Sequence, residues 1–248
     1  MRRTATIIAW CAVVLGSIVL AVCVALIVSD EPRPRGRSGA DAEDLSRRLE
    51  QAVALDAWER TGAVRWTFAG EHEHLWDRER DVARVRWDDV EVLVHEGSAS
   101  GRAYRGGVEV EGEDARSLLE RGNAAWINDS FWLNPIAKLR DEGVTRSDID
   151  GALLVEYSSG GLTPGDAYLW FLGDDGAPVR FRLWVSILPI GGVEATWEGW
   201  VDLATGARIS TRHRGPLGLV LELTDVEGAA TLAELEPGPD PFAPLFED

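Results

Sequence analysis

GEHEHLWD, residues 70–77, sets two imidazoles two positions apart, and on an extended strand His72 and His74 point to one face. Two histidines at that spacing are half of a zinc site. A third ligand would come from Glu73 or Asp77 nearby in sequence, or from His95 across from a neighbouring strand. Such a set would support metal-assisted hydrolysis. The same residues also read as a solvated strand edge with two exposed histidines, and that reading is preferred, so no metal or other cofactor is expected.

WINDSFWLNPIAKLRDEGV, residues 126–144, is the other concentration of special side chains. Ser130 beside Asp129 suggests a nucleophile, but Asn, Asp and Ser in a row more often satisfy backbone groups at a helix end. The paired glycines at 106–107, 160–161 and 191–192 sit where hairpins need them, outside any GxxxxGK[ST] or GxGxxG element. A GxSxG elbow is also missing from the sequence. The expectation is a protein that is not an enzyme, with the stretch serving architecture: Trp126, Phe131 and Trp132 anchor a helix exit against a sheet.

Eleven tryptophans against three tyrosines and six phenylalanines carry the remaining hypothesis. A concave sheet lined by Trp66, Phe68, Trp76, Trp126, Phe131, Trp132, Trp170 and Trp184 would make a pocket for a lipid or another hydrophobic ligand. Without a pocket, these side chains would simply fill the core of a large sheet.

The elements that must position these residues are short. Leu45, Leu49, Ala52, Val53 and Ala57 recur at helical spacing and predict a helix over residues 41–60. A second helix is predicted over EDARSLLERGNAAW, residues 113–126, weakened by Gly122. Between and after them the period is two, most clearly where Phe181, Leu183, Val185 and Ile187 alternate with Arg180, Arg182, Trp184 and Ser186. Many strands joined by tight turns, without strand-helix alternation, predict a mainly β (α+β) fold: one curved antiparallel meander, a half-barrel, wrapping one or two helices.

The chain has 248 residues and a formal net charge of -17, a field that repels phosphate backbones, so no nucleic-acid partner is expected. Residues 4–29 are uncharged and as a helix would reach roughly 35 to 40 Å, long enough to cross a bilayer. Residues 1–29 therefore read as a retained N-terminal transmembrane anchor, with the carboxyl-terminal domain outside the cytoplasm. Residues 30–42 read as a flexible linker, 43–236 as a single domain, and 237–248 as a Pro-rich tail. Both cysteines, Cys11 and Cys23, fall in the apolar segment, which leaves the domain no thiol.

Three blocks occur in order here: FAGEHEHLWDR with Trp76 and Asp77, then WINDSFWL running into PIAKLRDEGV, then TPGDAY. Together they resemble a bacterial extracytoplasmic family with no assigned activity, whose members begin with a signal or lipoprotein sequence. The order of helix, meander, internal helix and further meander is also similar to the lipoprotein carriers LolA and LolB. That resemblance implies a domain that binds a hydrophobic ligand or a lipidated partner without catalysis, and the chain departs from LolA in its apparent N-terminal anchor, which makes the domain a tethered one. The other readings of the same residues are an envelope-assembly protein without a small-molecule ligand and a hydrolase built on His72 and His74.

Overall fold

The structure, a computed structural model, describes residues 30–159 and 164–247. The predicted N-terminal anchor lies outside the described residues. Among these residues no helix is long and apolar enough to cross a membrane.

The protein is mainly β, built of antiparallel sheets with a few helices. Six strands follow one another as a meander: β1 (Ala63–Phe68), β2 (His72–Asp77), β3 (Val82–Trp87), β4 (Val90–His95), β5 (Gly101–Arg105) and β6 (Val108–Val110). A second run comprises β7 (Val144–Ile149), β8 (Ala152–Tyr157), β9 (Ala167–Leu172), β10 (Pro178–Trp184) and β11 (Val193–Thr196). Then come β12 (Glu198–Asp202), β13 (Arg208–Arg214) and β14 (Val220–Ala229).

These strands form two sheets instead of one continuous meander. The nine-stranded sheet runs β12-β13-β14-β1-β2-β3-β4-β5-β6, and the five-stranded sheet runs β11-β10-β9-β8-β7. The chain changes sheet at Trp197, a buried residue between β11 and β12 whose amide donates to Val179 O at 2.8 Å. Returning there, β14 pairs with β1, so the first and last strands of the domain are neighbours.

The helix predicted over residues 41–60 is two: α1 (Ala40–Ala52) and α2 (Leu55–Glu59). Ala54 between them adopts the left-handed conformation, φ 51°, which α-helical periodicity does not foretell. α1 buries Ala42, Leu45 and Leu49 against the five-stranded sheet. Its start at Ala40 falls within the stretch read as linker, and Arg37 already pairs backbone to backbone with Asp148 of β7.

The second helix, α3 (Gly112–Leu133), continues past the predicted end at Trp126 through WINDSFWL. Asn134 and Pro135 stop it, because proline cannot continue the ladder. Of its buried stripe, Leu118, Leu119, Gly122, Trp126, Asp129, Ser130 and Leu133, the residues Leu118, Leu119 and Trp126 pack on Ala83, Val85, Val92, Val94 and Ala103, while Leu133 packs with Trp66, Phe68 and Ile209. A Cβ at Gly122 would collide with the Val92 side chain, so the glycine that weakens the helix locally is what lets it lie close on the sheet.

The opposite face of the nine-stranded sheet is covered by the tail. α4 (Leu232–Leu235) and Phe242 pack on Leu75, Val82 and Leu93, and Arg80 holds Asp240 through two hydrogen bonds of 2.6 and 2.9 Å.

Candidate metal centre

β1 and β2 form a hairpin in which His72 stands opposite Phe68, and His74 opposite Trp66. Strand alternation turns both imidazoles toward α3, as their spacing predicts. The same alternation removes the expected third ligands. Asp77 points to the far side, where it binds Arg80 at 2.6 Å, and Glu73 also faces away from α3. His95 stands opposite Val82, in the row covered by the tail, with its ring edge-on to Phe246.

The residue that meets the histidines is Asp129. Its Oδ2 accepts from Nδ1 of His72 and from Nε2 of His74, both at 2.8 Å. Its Oδ1 accepts from the Asn128 amide at 2.8 Å, which fixes the carboxylate plane and leaves Oδ2 aimed at the imidazoles. The three ligand atoms all lie within 4.8 Å of one another.

The site is asymmetric in depth. The side chains of His74 and Asp129 are 0% and 2% exposed, whereas His72 is 18% exposed. The Trp66 ring stacks flat on His74 at 4.4 Å between centroids, and Trp87 meets His72 edge-on at 6.3 Å. Burial pushes the His74 pKa below the usual histidine range, against the opposing pull of Asp129. His74 is therefore neutral at physiological pH. Its Nδ1 is buried and has no protein partner among the described residues.

His72 also lines a groove of about 880 Å³ together with Glu71, Glu73, Trp87, Asp88 and Arg121. Arg121 of α3 lies over the Trp87 ring at 4.7 Å. The inner end of this groove is thus the exposed edge of the His-His-Asp cluster, and much of its wall is acidic.

Two imidazole nitrogens and one carboxylate oxygen form the ligand set of a zinc-class ion. To hold zinc at its usual bond lengths, the atoms now 2.8 Å apart would separate by about half an ångström and the two imidazole nitrogens, now within 4.8 Å, would sit about 3.4 Å from each other. Three protein ligands would leave a tetrahedral ion one open position.

The eight aromatic candidates are spread over several adjoining clusters, with Trp76 and Trp132 each packed against two of them. Trp66 and Phe68 pack with Val64, Leu133, Ile209 and Leu223. Trp76 meets Trp126 edge to face at 5.6 Å, while Trp132 and Trp170 share a cluster with Phe181 and Trp197. Phe131 lies against Tyr168 at 4.8 Å, and Trp184 donates to Glu31 O at 2.7 Å. Ser130 donates to Ile127 O within α3, a helix-internal bond.

Sequence reasoning missed Asp129 as a ligand because it ended the helix too early. The signal was available: residues 122, 126, 129 and 133 follow helical spacing, and a carboxylate on that apolar stripe needs a partner. His213 lies outside this cluster. It is buried against Trp197 at 3.9 Å, with Nδ1 3.2 Å from Thr196 O.

No family model matches the chain, and no curated protein matches it. Among solved structures, it is similar to a LolA superfamily protein from Nitrosomonas europaea, 11% identical, with a TM-score of 0.33 over 76% of this chain and 93% of that one. It is also similar to a DUF1329 family protein from Desulfovibrio piger, 10% identical, with a TM-score of 0.38 over 77% of this chain and 94% of that one. At these TM-scores the likeness carries no functional weight.

Proposed function

We propose that the chain is a membrane-tethered, extracytoplasmic domain that binds a divalent metal ion of the zinc class at His72, His74 and Asp129, without catalysis. The observation that carries this reading is the convergence of Nδ1, Nε2 and Oδ2 within 4.8 Å, from one strand and a helix far apart in sequence. The acidic wall of the groove, with Glu71, Glu73, Asp88 and Asp89, raises the local concentration of cations at its inner end. The tether is the uncharged run of residues 4–29.

Zinc added to the purified protein tests the reading. A rise in melting temperature in the wild type that disappears in the His72→Ala, His74→Ala double variant supports it. No rise, or the same rise in both, leaves the cluster as a hydrogen-bonded strut between β2 and α3. Turnover of an ester or phosphoester by the zinc form would convert the reading to metal-assisted hydrolysis at the open position.

A second reading, binding of a hydrophobic ligand or a lipidated partner, is favoured by one observation. Phe131, Tyr157 and Tyr168 make a connected and only partly buried aromatic wall, with ring contacts of 6.0 Å from Phe131 to Tyr157 and 5.8 Å from Tyr157 to Tyr168. Lipid recovered by solvent extraction of the purified protein, and lost with Phe131→Ala, would support it. Extracts without lipid would count against it.

A further inference from the structure

We propose that the loop of residues 185–192 rests on the membrane surface, beside the point where the chain enters the bilayer. The inference rests on the tether proposed above and identifies which face of the domain the tether holds down.

The loop has the sequence VSILPIGG, eight residues without a charge in a chain of net charge -17. It joins β10 to β11 and leaves Ile187 72% and Leu188 39% exposed, with Pro189 exposed beside them. Apolar side chains at a charge-free loop tip have little reason to face water in so acidic a protein.

What decides the partner is where the apolar segment ends. Asp30, the first residue after the run of residues 4–29, accepts through Oδ1 from the Gly191 amide at 2.8 Å. The Glu31 amide donates to Gly191 O at 3.2 Å, Trp184 Nε1 donates to Glu31 O at 2.7 Å, and Arg182 binds the Glu31 carboxylate at 3.0 Å. The two glycines are a condition of this contact. A Cβ on Gly191 would lie 2.8 Å from Glu31 O, and one on Gly192 would lie 2.6 Å from Glu31 Cβ. Residues 30 and 31 are thereby fastened to the base of the loop.

Leu188 is three residues from Gly191, at most about 11 Å along the chain. The headgroup zone is about 5 to 8 Å thick on each side of the hydrocarbon. A segment that leaves the bilayer at residue 29 therefore holds the loop tip within reach of the headgroups. The exposed Arg35 follows on the same short stretch, where anionic headgroups attract it, while Arg33 and Arg37 pair with Glu156 and Asp148 of the domain.

The test uses the full chain in vesicles of phosphatidylcholine and phosphatidylglycerol, with Cys11→Ser and Cys23→Ser removing the native thiols. Single cysteines introduced by Ile187→Cys, Val108→Cys and Val14→Cys carry a nitroxide, and collision with oxygen is compared with collision with an aqueous nickel chelate. Val108 is 70% exposed on β6, at the far edge of the other sheet, and serves as the aqueous reference. The expected result is oxygen-favoured relaxation at positions 187 and 14 and nickel-favoured relaxation at 108. A lipidic 14 with an aqueous 187 overturns the loop proposal while the tether stands. An aqueous 14 overturns the tether, and the loop proposal falls with it.

Discussion

Nε2 of His74 lies 2.8 Å from Oδ2 of Asp129, although 55 residues separate them. The bond ties the first hairpin to the long helix inside a buried, tryptophan-walled space, so each side chain satisfies a partner that would otherwise be stranded. Asp129→Asn keeps the shape but removes the charge that two imidazoles share. A loss of roughly 2 to 4 kcal/mol in stability is expected, the cost of disturbing a buried charged hydrogen-bond pair. Chemical denaturation measures it, and a double-mutant cycle with His74→Ala should show coupling well above additivity.

Gly122→Ala tests how closely α3 approaches the sheet. Helix propensity alone favours alanine by about 1 kcal/mol, but the added methyl collides with Val92. Net destabilisation of about 1 to 3 kcal/mol is expected, with partial recovery in the Gly122→Ala, Val92→Ala pair. Stabilisation by the single change would mean that the helix stands further off.

His213 should make stability fall in mild acid. Burial depresses its pKa to about 4, while Thr196 O pulls weakly the other way. The folded protein therefore holds it neutral while the unfolded chain, titrating near about 6.5, takes up the proton first. Its contribution is fully present above the unfolded value and is lost as pH falls from about 6.5 through about 4, up to roughly 3 kcal/mol. His74, also depressed by burial, acts in the same direction. Denaturation midpoints at pH 7 and pH 4.5 should converge in His213→Gln relative to wild type.

Trp132 closes the inner aromatic cluster, with its ring 5.6 Å from Phe181 and 5.9 Å from Trp197 in a near-parallel stack. Trp132→Ala should cost about 3 to 5 kcal/mol by leaving a cavity there. A variant of unchanged melting temperature that no longer yields bound lipid would assign the tryptophan to a ligand instead of to the core.

Much of this was legible because strand alternation is local. The spacing of His72 and His74 fixed their common face, and the alternation of Phe181 and Leu183 with Arg180, Arg182 and Trp184 marked β10, although the strand ends at Trp184 and leaves Val185 and the exposed Ile187 in the loop beyond it. What escaped depends on contacts distant in sequence. The break at Ala54 leaves no glycine or proline as a marker, and the change of sheet at Trp197 is set by packing against β10 and β13. Asp129 was hidden for a simpler reason. Its stretch, rich in Asn, Asp and Ser, reads as a helix end, yet tertiary packing of Trp126 and Leu133 carries the helix through it.

The most direct measurement is calorimetric titration of zinc into the purified full chain and into His72→Ala, the variant whose side chain is only partly buried and whose loss leaves the buried His74 bond to Asp129 in place. The expected result is one saturable equivalent in the wild type and at least a tenfold weaker affinity in His72→Ala, a difference of about 1.4 kcal/mol or more. No binding to the wild type, or equal binding to both, would contradict a metal centre at His72, His74 and Asp129.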